Sequence, residues 1–173
     1  GIGATEMAGV LATGEIWVKV PETILIEWQN LLPPCVMAKD IMLALCGKLG
    51  LNGGHYQAIE FCGEAINSLS MQDRMTLTNM TAELGAQTGL IAPDDVTKAF
   101  LRNAGSTIGD MHDLTTDPDA PLLAKHVFDA SALEPQVAEP HSPALRWLTR
   151  APRCNNSSAT AAMSCVLLAP HCE

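Results

Sequence analysis

Short apolar runs alternate with longer amphipathic segments along this sequence, and that alternation constrains the fold more than any other feature. The runs ETILIEWQ, HYQAIEF, GLIAP and KHVFDAS are strand-sized, and the segments between them repeat their apolar residues with a helical period. Strands that alternate with helices of this length are typical of a parallel sheet flanked by helices. The sequence therefore predicts an α/β fold.

The turn residues place the boundaries of these segments. Gly14 and Gly50 are expected to end the first two helices, and Asp94 is expected to cap the start of the last one. Residues 105–122 and 133–143 are rich in polar residues and proline, which predicts a surface loop and an extended connection. Helices are expected at 4–13, 36–50, about 70–86 and 94–103, and strands at 15–20, 22–29, up to Phe61, at 89–93 and at 125–131.

The charge and hydropathy of the chain exclude two classes of function. The 173 residues carry a net charge of -9, with Lys and Arg scattered along the sequence, whereas a nucleic-acid interface needs a clustered positive field. The sequence contains no run of about 20 apolar residues, which a helix needs to span a bilayer. The N-terminus also has no basic region before an apolar run, as a signal peptide would have, so a cytoplasmic location is expected. The missing initial Met suggests a processed or truncated chain.

The six cysteines do not form a recognisable metal or redox motif. Cys35, Cys46 and Cys62 lie in apolar or helical surroundings, where buried structural thiols are expected, and no pair has the C-x-x-C spacing. The other three lie after Pro143, where the sequence loses both its periodicity and its acidic residues, apart from Glu173. We therefore expect residues 1–143 to form one domain and residues 144–173 to be an atypical, disordered tail, translated out of frame.

Asn79 and Glu83 are an unusual pair of polar residues in the mostly apolar helix expected at 70–86. Four residues apart, they would lie one above the other on one helical face, with Thr76 nearby. An exposed stripe would explain them, because Asn and Glu are mostly exposed. In a polar site, the pair could instead bind a hydroxyl, a water or a carboxylic acid, and the carboxylate could move a proton.

Three stretches of the sequence carry a resemblance to a known family. GIGATEMAGVLATGEIWVKVPETI, LTNMTAELGAQTGL and FDASALEPQVAEPHSP resemble the isopropylmalate dehydratase large subunits of the aconitase family, and the resemblance covers residues 1–143. The family motif N-M-x-A-E-[LI]-G-A is matched by residues 79–86. Homoaconitase and dimethylmalate dehydratase share these motifs, so the resemblance also allows either of them.

The resemblance implies a hydro-lyase of leucine biosynthesis that isomerises 2-isopropylmalate, a hydroxy-dicarboxylic acid, by dehydration and rehydration. It implies an aconitase-like α/β domain, a small-subunit partner and a [4Fe-4S] cluster with three Cys ligands, whose open iron acts as a Lewis acid. It places Asn79 and Glu83 in the active site. The Glu would hydrogen-bond the departing hydroxyl or water, and the Asn would order the surroundings of the cluster.

The sequence also departs from the family pattern. The catalytic D-S-H-T segment, the G-x-C-T-N-G loop and the later C-x-x-C are absent from these residues, and no ligand role transfers to Cys154. We therefore expect a central fragment of a large subunit that is inactive alone and binds no cluster. Two alternatives remain: a non-catalytic remnant acting at most as a binding domain, and a generic acidic α/β binding domain.

Overall fold

A computed structural model describes residues 3–106, 111, 114–139 and 142–148. Its helices are α1 (Ala4–Thr13), α2 (Ala38–Leu49), α3 (Glu64–Asn67), α4 (Met71–Asn79) and α5 (Asp95–Asn103). Its strands are β1 (Thr23–Gln29), β2 (Ala58–Cys62), β3 (Thr88–Ile91), β4 (Leu122–Asp129), β5 (Gln136–Glu139) and β6 (Ser142–Leu148). Short 3₁₀ segments occupy Met80–Leu84 and Ala130–Ala132. Among these described helices, none has the length and apolar content that crossing a bilayer requires.

The first four strands form one parallel sheet in the order β3-β2-β1-β4. Side chains alternate along β1, so that Ile24, Ile26 and Trp28 are buried on one face of the sheet. The strand order reverses at β1, because the chain first moves outward to β2 and β3 and then returns to β4. The α/β class predicted from the sequence is confirmed.

Helices α2 and α4 pack together on the face of the sheet that Trp28 occupies, and the main core lies between these two layers. Helix α2 contributes more of that core than any other element, because all but one of the residues from Ala38 to Cys46 are buried. The fully buried larger side chains are Trp28, Phe61, Ile26, Ile41, Met42, Leu45, Ile59, Ile66, Leu77, Leu84 and Cys46. Aliphatic side chains thus dominate the core, as the low aromatic content requires.

A buried carboxylate connects α2 to the hairpin formed by the antiparallel strands β5 and β6. Asp40 is 6% exposed, and its two oxygens accept hydrogen bonds from the backbone N–H groups of Met37 and Gln136, each at 2.7 Å. The first bond satisfies a donor at the start of α2, and the second holds the first residue of β5. The hairpin therefore lies beside α2.

The predicted helices α1 and α5, with Gly14 at the end of α1 and Asp94 at the start of α5, are confirmed. One predicted strand, however, is wrong. Residues 15–20 form no regular structure, and Trp17 and Val20 are 84% and 88% exposed. Their apolar alternation satisfies the period of a strand, yet the described residues provide no neighbouring strand to pair with them. Because a strand needs a hydrogen-bonding partner, the alternation alone does not produce one.

Three further expectations differ from the structure. Strand β3 exists, but it lies at the edge of the described sheet and is half exposed instead of buried. Cys35 is exposed in the loop before α2, whereas Cys46 is buried and Cys62 is half-buried. The connection predicted at 133–143 contains β5 and the start of β6. The predicted boundary after Pro143 falls inside β6, and residues 149–173 lie outside the described residues, so this division stays a prediction.

Candidate functional site

Helix α4 carries the first of the two predicted site residues at its last position. Ser70 caps its start by accepting the Asp73 backbone N–H at 3.2 Å and donating its hydroxyl to the Asp73 carboxylate at 2.6 Å. Leu77 and Arg74 point into the protein and are buried. Asn79 lies on the outer side of the helix and is exposed.

The backbone tightens after Asn79, so the single helix predicted to continue to residue 86 is wrong in this part. Residues Met80–Leu84 form a 3₁₀ segment, which ends at Gly85 with a positive φ of 70°. Thr81 and Leu84 are buried three residues apart, as the 3₁₀ repeat of three residues per turn favours. Glu83 follows Asn79 through this tighter turn and is exposed, and it does not stack above Asn79 as in a continuous α-helix.

An open depression of about 720 Å³ lies between α4 and the edge strand β3. Gly89 makes this close approach of α4 to β3 possible, because a Cβ there would lie 2.6 Å from the Thr81 methyl carbon and 2.9 Å from Thr78 Cα. Asn79 lines the depression, whereas Glu83 lies outside its lining. The lining residues are Gln72, Met75, Thr76, Thr78, Asn79, Thr81, Ala82, Gln87, Thr88 and Gly89.

The lining of this depression is polar and uncharged. Its amides can donate hydrogen bonds to a substrate hydroxyl and accept them from it, whereas the hydroxyls of Thr76, Thr78 and Thr81 already donate to backbone carbonyls and can only accept. It contains neither Lys nor Arg, so by itself it cannot neutralise the charges of a dicarboxylate. Gln72, Gln87 and Thr88 also line the depression and were not predicted from the sequence. The dense hydroxyl and amide content of MTLTNMT and AQTG was the available signal.

A glycine-rich turn at residues 52–56 holds the segment that contains Glu83. The Gly54 and Tyr56 backbone N–H groups donate to the carbonyls of Leu84 and Gly85, both at 2.8 Å. A Cβ on Gly54 would lie 2.8 Å from Ala86 Cβ, and one on Gly85 would lie 2.8 Å from the Leu51 carbonyl oxygen. The small residues after Glu83 therefore allow this turn to pack closely, which fixes the backbone near Glu83.

This candidate site lies near the amino ends of β2 and β3, because α4 runs back across the sheet before β3 begins. Ligands of open parallel sheets usually bind at the carboxyl ends of the strands. The pair of predicted residues is therefore placed at the opposite edge. Because the depression is open, a ligand bound here would need further residues from another part of the protein to enclose it.

The carboxyl ends of the strands carry a separate group of charged residues. Lys125 Nζ lies 2.8 Å from Glu27 Oε2, and this hydrogen-bonded pair lowers the pKa of Glu27 and raises that of Lys125. Burial, with help from the Glu27 and Glu60 carboxylates, raises the pKa of the Cys62 thiol. Hydrogen bonds from Ser131, and then from Asn30, lower the pKa of Asp129. The Cys62 thiol is therefore less readily ionised than an ordinary cysteine.

The described cysteines do not fit an iron–sulfur cluster. Cys46 is buried in the core between α2 and the sheet, whereas Cys62 lies on the opposite face of the sheet, where β2 alternates away from the buried Phe61. Cys35 is exposed in the loop before α2. Among the residues that the structure describes, no group of three His, Cys, Asp or Glu side chains could hold a metal ion. A cluster needs its thiolates in one pocket.

Comparison with known proteins gives a consistent set of relatives. The model of the aconitase family (aconitate hydratase) matches residues 1–164. A Methanosarcina mazei protein named "Probable methanogen homoaconitase large subunit" is 47% identical over 141 residues, which cover 82% of this chain and 36% of that protein. The 3-isopropylmalate dehydratase large subunit 1 of Methanopyrus kandleri is 46% identical, and the 3-isopropylmalate dehydratase large subunit of Moorella thermoacetica is 44% identical. Each match covers 83% of this chain and 34% of the relative. The chain spans about a third of the length of these curated relatives.

Proposed function

The chain belongs to the aconitase family, and we propose on this basis that it forms part of the large subunit of a hydro-lyase. The proposed reaction is the isomerisation of 2-isopropylmalate to 3-isopropylmalate, in which water is first eliminated and then added back at the neighbouring carbon. The relatives are named large subunits, which supports a small subunit as the partner. The substrate class would be a hydroxy-dicarboxylic acid.

The observation that carries this proposal is the uncharged, hydrogen-bonding depression that Asn79 lines. We assign Asn79 to orienting the substrate hydroxyl and Glu83 to moving the proton that dehydration releases and hydration returns. The Glu83 backbone is fixed by the glycine-rich turn, while its side chain is exposed and accessible to an incoming substrate. The 3₁₀ turn directs the two side chains differently, so they would approach a substrate from different sides.

The depression also indicates what the rest of the enzyme must supply. Its lining contains no cation for the two substrate carboxylates, and the described cysteines do not fit the [4Fe-4S] cluster that the aconitase family generally uses. When bound, that cluster would supply Lewis-acid chemistry at the substrate hydroxyl. We therefore assign the carboxylate-binding residues and the cluster ligands to the remaining two thirds of a longer polypeptide, without which this chain has no activity.

Replacing Glu83 in an active enzyme tests this function. In a chimeric large subunit, residues 3–139 of this chain would replace the matching part of the Moorella thermoacetica relative, in the presence of that protein's small subunit. Glu83→Gln should lower the turnover of 2-isopropylmalate by roughly 10²–10⁴-fold, the usual contribution of a positioned acid or base. Asn79→Ala should cost less, because an amide that orients the substrate does not transfer the proton.

The control is Glu64→Gln, which changes an exposed carboxylate at the start of α3 in the same way. It should leave turnover unchanged. If Glu83→Gln retained most of the activity of the parent chimera, the assignment of Glu83 would be wrong. If the parent chimera itself left 2-isopropylmalate unchanged, the proposed reaction would be wrong.

A homoaconitase is the second candidate, because the Methanosarcina mazei relative named as one is as similar as the dehydratases. Both candidate reactions would remove and add back a hydroxyl, so the depression does not separate them. Because the host supplies the carboxylate-binding residues, the same segment is also placed in the Methanosarcina mazei relative, and each chimera is compared with its own unmodified host. We expect the smaller loss of kcat/KM in the Moorella thermoacetica host acting on 2-isopropylmalate. A smaller loss in the Methanosarcina mazei host acting on homocitrate would favour the second candidate.

A further inference from the structure

The parallel sheet has a second face that the helices α2 and α4 do not cover. Alternation along the strands places seven residues there, which we call the open face: Leu25, Glu27, Glu60, Cys62, Leu90, Lys125 and Val127. Leu90 and Val127 are each 49% exposed, even though Leu25 and Cys62 between them are half-buried. This face is therefore apolar at both sides of its centre and accessible within the described residues.

One of the two acidic groups on the open face has a counter-charge. Glu27 and Lys125 neutralise each other in their 2.8 Å ion pair, whereas Glu60 accepts a hydrogen bond from the neutral Thr116 hydroxyl at 2.7 Å and keeps its negative charge within the described residues. An ion pair can be covered by apolar side chains, but a lone carboxylate needs a polar or cationic partner when it is covered. The open face is thus suited to a mainly apolar layer that brings a polar or cationic group to Glu60.

The chain's own crossover covers this face only in part. Because crossovers between parallel strands are right-handed, the connection from β3 back to β4 must pass on the face opposite α2 and α4. In its described residues, Thr116 donates its hydroxyl to Glu60 of the sheet, and helix α5 has no buried residue. Parallel sheets are almost always covered on both faces. Within the part of the chain that the structure describes, the second layer of this sheet is therefore incomplete.

We propose that the open face is covered by apolar helical surface from the other two thirds of a longer large-subunit polypeptide. The matched relatives are about three times as long as their matched segment, so one longer polypeptide would contain enough additional chain to cover the open face. An intramolecular layer also meets the open face at a high effective concentration, unlike a separate subunit. This inference concerns assembly, and its test does not require catalytic activity.

Cys62 provides a reporter on the open face, at the carboxyl end of β2. Its reaction with N-ethylmaleimide would be followed by peptide-resolved mass spectrometry in this chain and in the chimeric large subunit described above. The rate in urea-denatured protein serves as the reference for each, so protection is the ratio of the denatured to the native rate. We expect Cys62 to be protected about 100-fold more in the chimera without its small subunit than in this chain alone.

Two variants separate the open face from general stability. Val127→Lys would place a charge under the covering layer and should abolish the additional protection of Cys62 in the chimera. Val137→Lys makes the same change at a similarly exposed valine of the hairpin, 44% exposed against 49%, and should leave that protection intact. Cys46, which is fully buried in the core, reports in the same experiment whether each protein is folded.

The possible outcomes are distinct. Equal protection of Cys62 in the two proteins would overturn the proposal. Protection that appears only after the small subunit is added would show that this subunit covers the face. Protection of this chain alone that increases with its concentration, together with a dimer in sedimentation, would show that a second copy covers the face. Either result overturns the proposal. If Cys46 shows that this chain alone is unfolded, the Cys62 rate in the chimera and its response to Val127→Lys decide the question.

Discussion

Arg74 is a buried cation whose compensation depends on one side chain. It is 3% exposed, and its two terminal nitrogens donate to the two Asp94 oxygens, each at 2.7 Å, while one of them also donates to the Asn67 carbonyl at 2.9 Å. Hydrogen bonding to Arg74 holds the pKa of Asp94 below its ordinary value. Asp94 also caps α5 by accepting the backbone N–H groups of Val96 and Thr97. One carboxylate therefore fixes α4 to α5.

We expect Asp94→Asn to lower the free energy of unfolding at pH 7 by about 2–4 kcal/mol, because it leaves the buried guanidinium without a counter-charge. Asn caps a helix about as well as Asp, so the loss reports the ion pair and not the cap. Urea denaturation measures it. The matched control is Asp95→Asn, since Asp95 is 98% exposed and its ion pair with Lys98 is long at 3.6 Å; it should change stability by less than about 0.5 kcal/mol.

The same pair predicts the acid limb of the stability profile. Because the pKa of Asp94 is lowered on folding, its contribution is complete above the unfolded-state value of about 3.9 and is lost as the pH falls through the lower folded-state value. Unfolding free energies of the parent should therefore fall more steeply below about pH 4 than those of Asp94→Asn. Parallel acid limbs for the two proteins would contradict this assignment.

At the scale of the elements, Asp40 links α2 to the β5–β6 hairpin through its hydrogen bond with the Gln136 backbone. Asp40→Ala would leave the Met37 and Gln136 N–H groups without their acceptor, at about 1–3 kcal/mol for each buried donor. We expect hydrogen exchange to accelerate in β5 as well as in the first turn of α2. Asp40→Asn retains one acceptor oxygen and should give a smaller change. Faster exchange limited to α2 would show that the hairpin is held by other contacts.

The helix ends that the sequence predicted correctly are set by local residues, and the predicted strands β1 to β4 exist because each finds a partner in the sheet. Helix α5 was placed by the Asp94 cap, and α1 by Gly14, which adopts a positive φ of 74° as a helix-ending glycine does. The strand predicted at residues 15–20 was wrong because a strand forms only with a hydrogen-bonding partner, which the periodicity of the sequence does not reveal. The continuous α-helix predicted up to residue 86 was wrong because the backbone tightens into a 3₁₀ segment after Asn79. This tightening buries Thr81 and Leu84 against the sheet and is therefore a tertiary effect.

The candidate site shows the same division between local and tertiary information. Asn79 and Glu83 could be selected from the sequence by their unusual polarity, and the roles assigned to them remain predictions. The depression beside Asn79 could not be derived, because three of its lining residues, Gln87–Gly89, come from β3 and the turn before it. The Arg74–Asp94 pair joins residues 20 positions apart and was also beyond pattern reasoning.

At the scale of the whole molecule, the sheet separates the described cysteines. Cys46 is buried on the helical side of the sheet, and Cys62 lies on the open face, so the sheet itself stands between the two sulfurs. The raised pKa of Cys62 further disfavours the thiolate that iron requires. A helix core and a sheet face cannot be brought into one pocket without unfolding the domain. The fold itself thus prevents these two thiols from ligating one cluster.

We therefore expect anaerobic reconstitution of this chain with iron and sulfide to give no stoichiometric four-iron cluster. The measurement is iron and sulfide per chain together with the thiolate-to-iron charge-transfer absorbance, and the Moorella thermoacetica relative, treated identically, is the positive control. Cys46→Ala and Cys62→Ser should leave the trace of iron taken up unchanged, because neither thiol is a ligand. Four irons per chain, lost in either variant, would show that the domain rearranges around the cluster and that the fold described here is not the one that binds it.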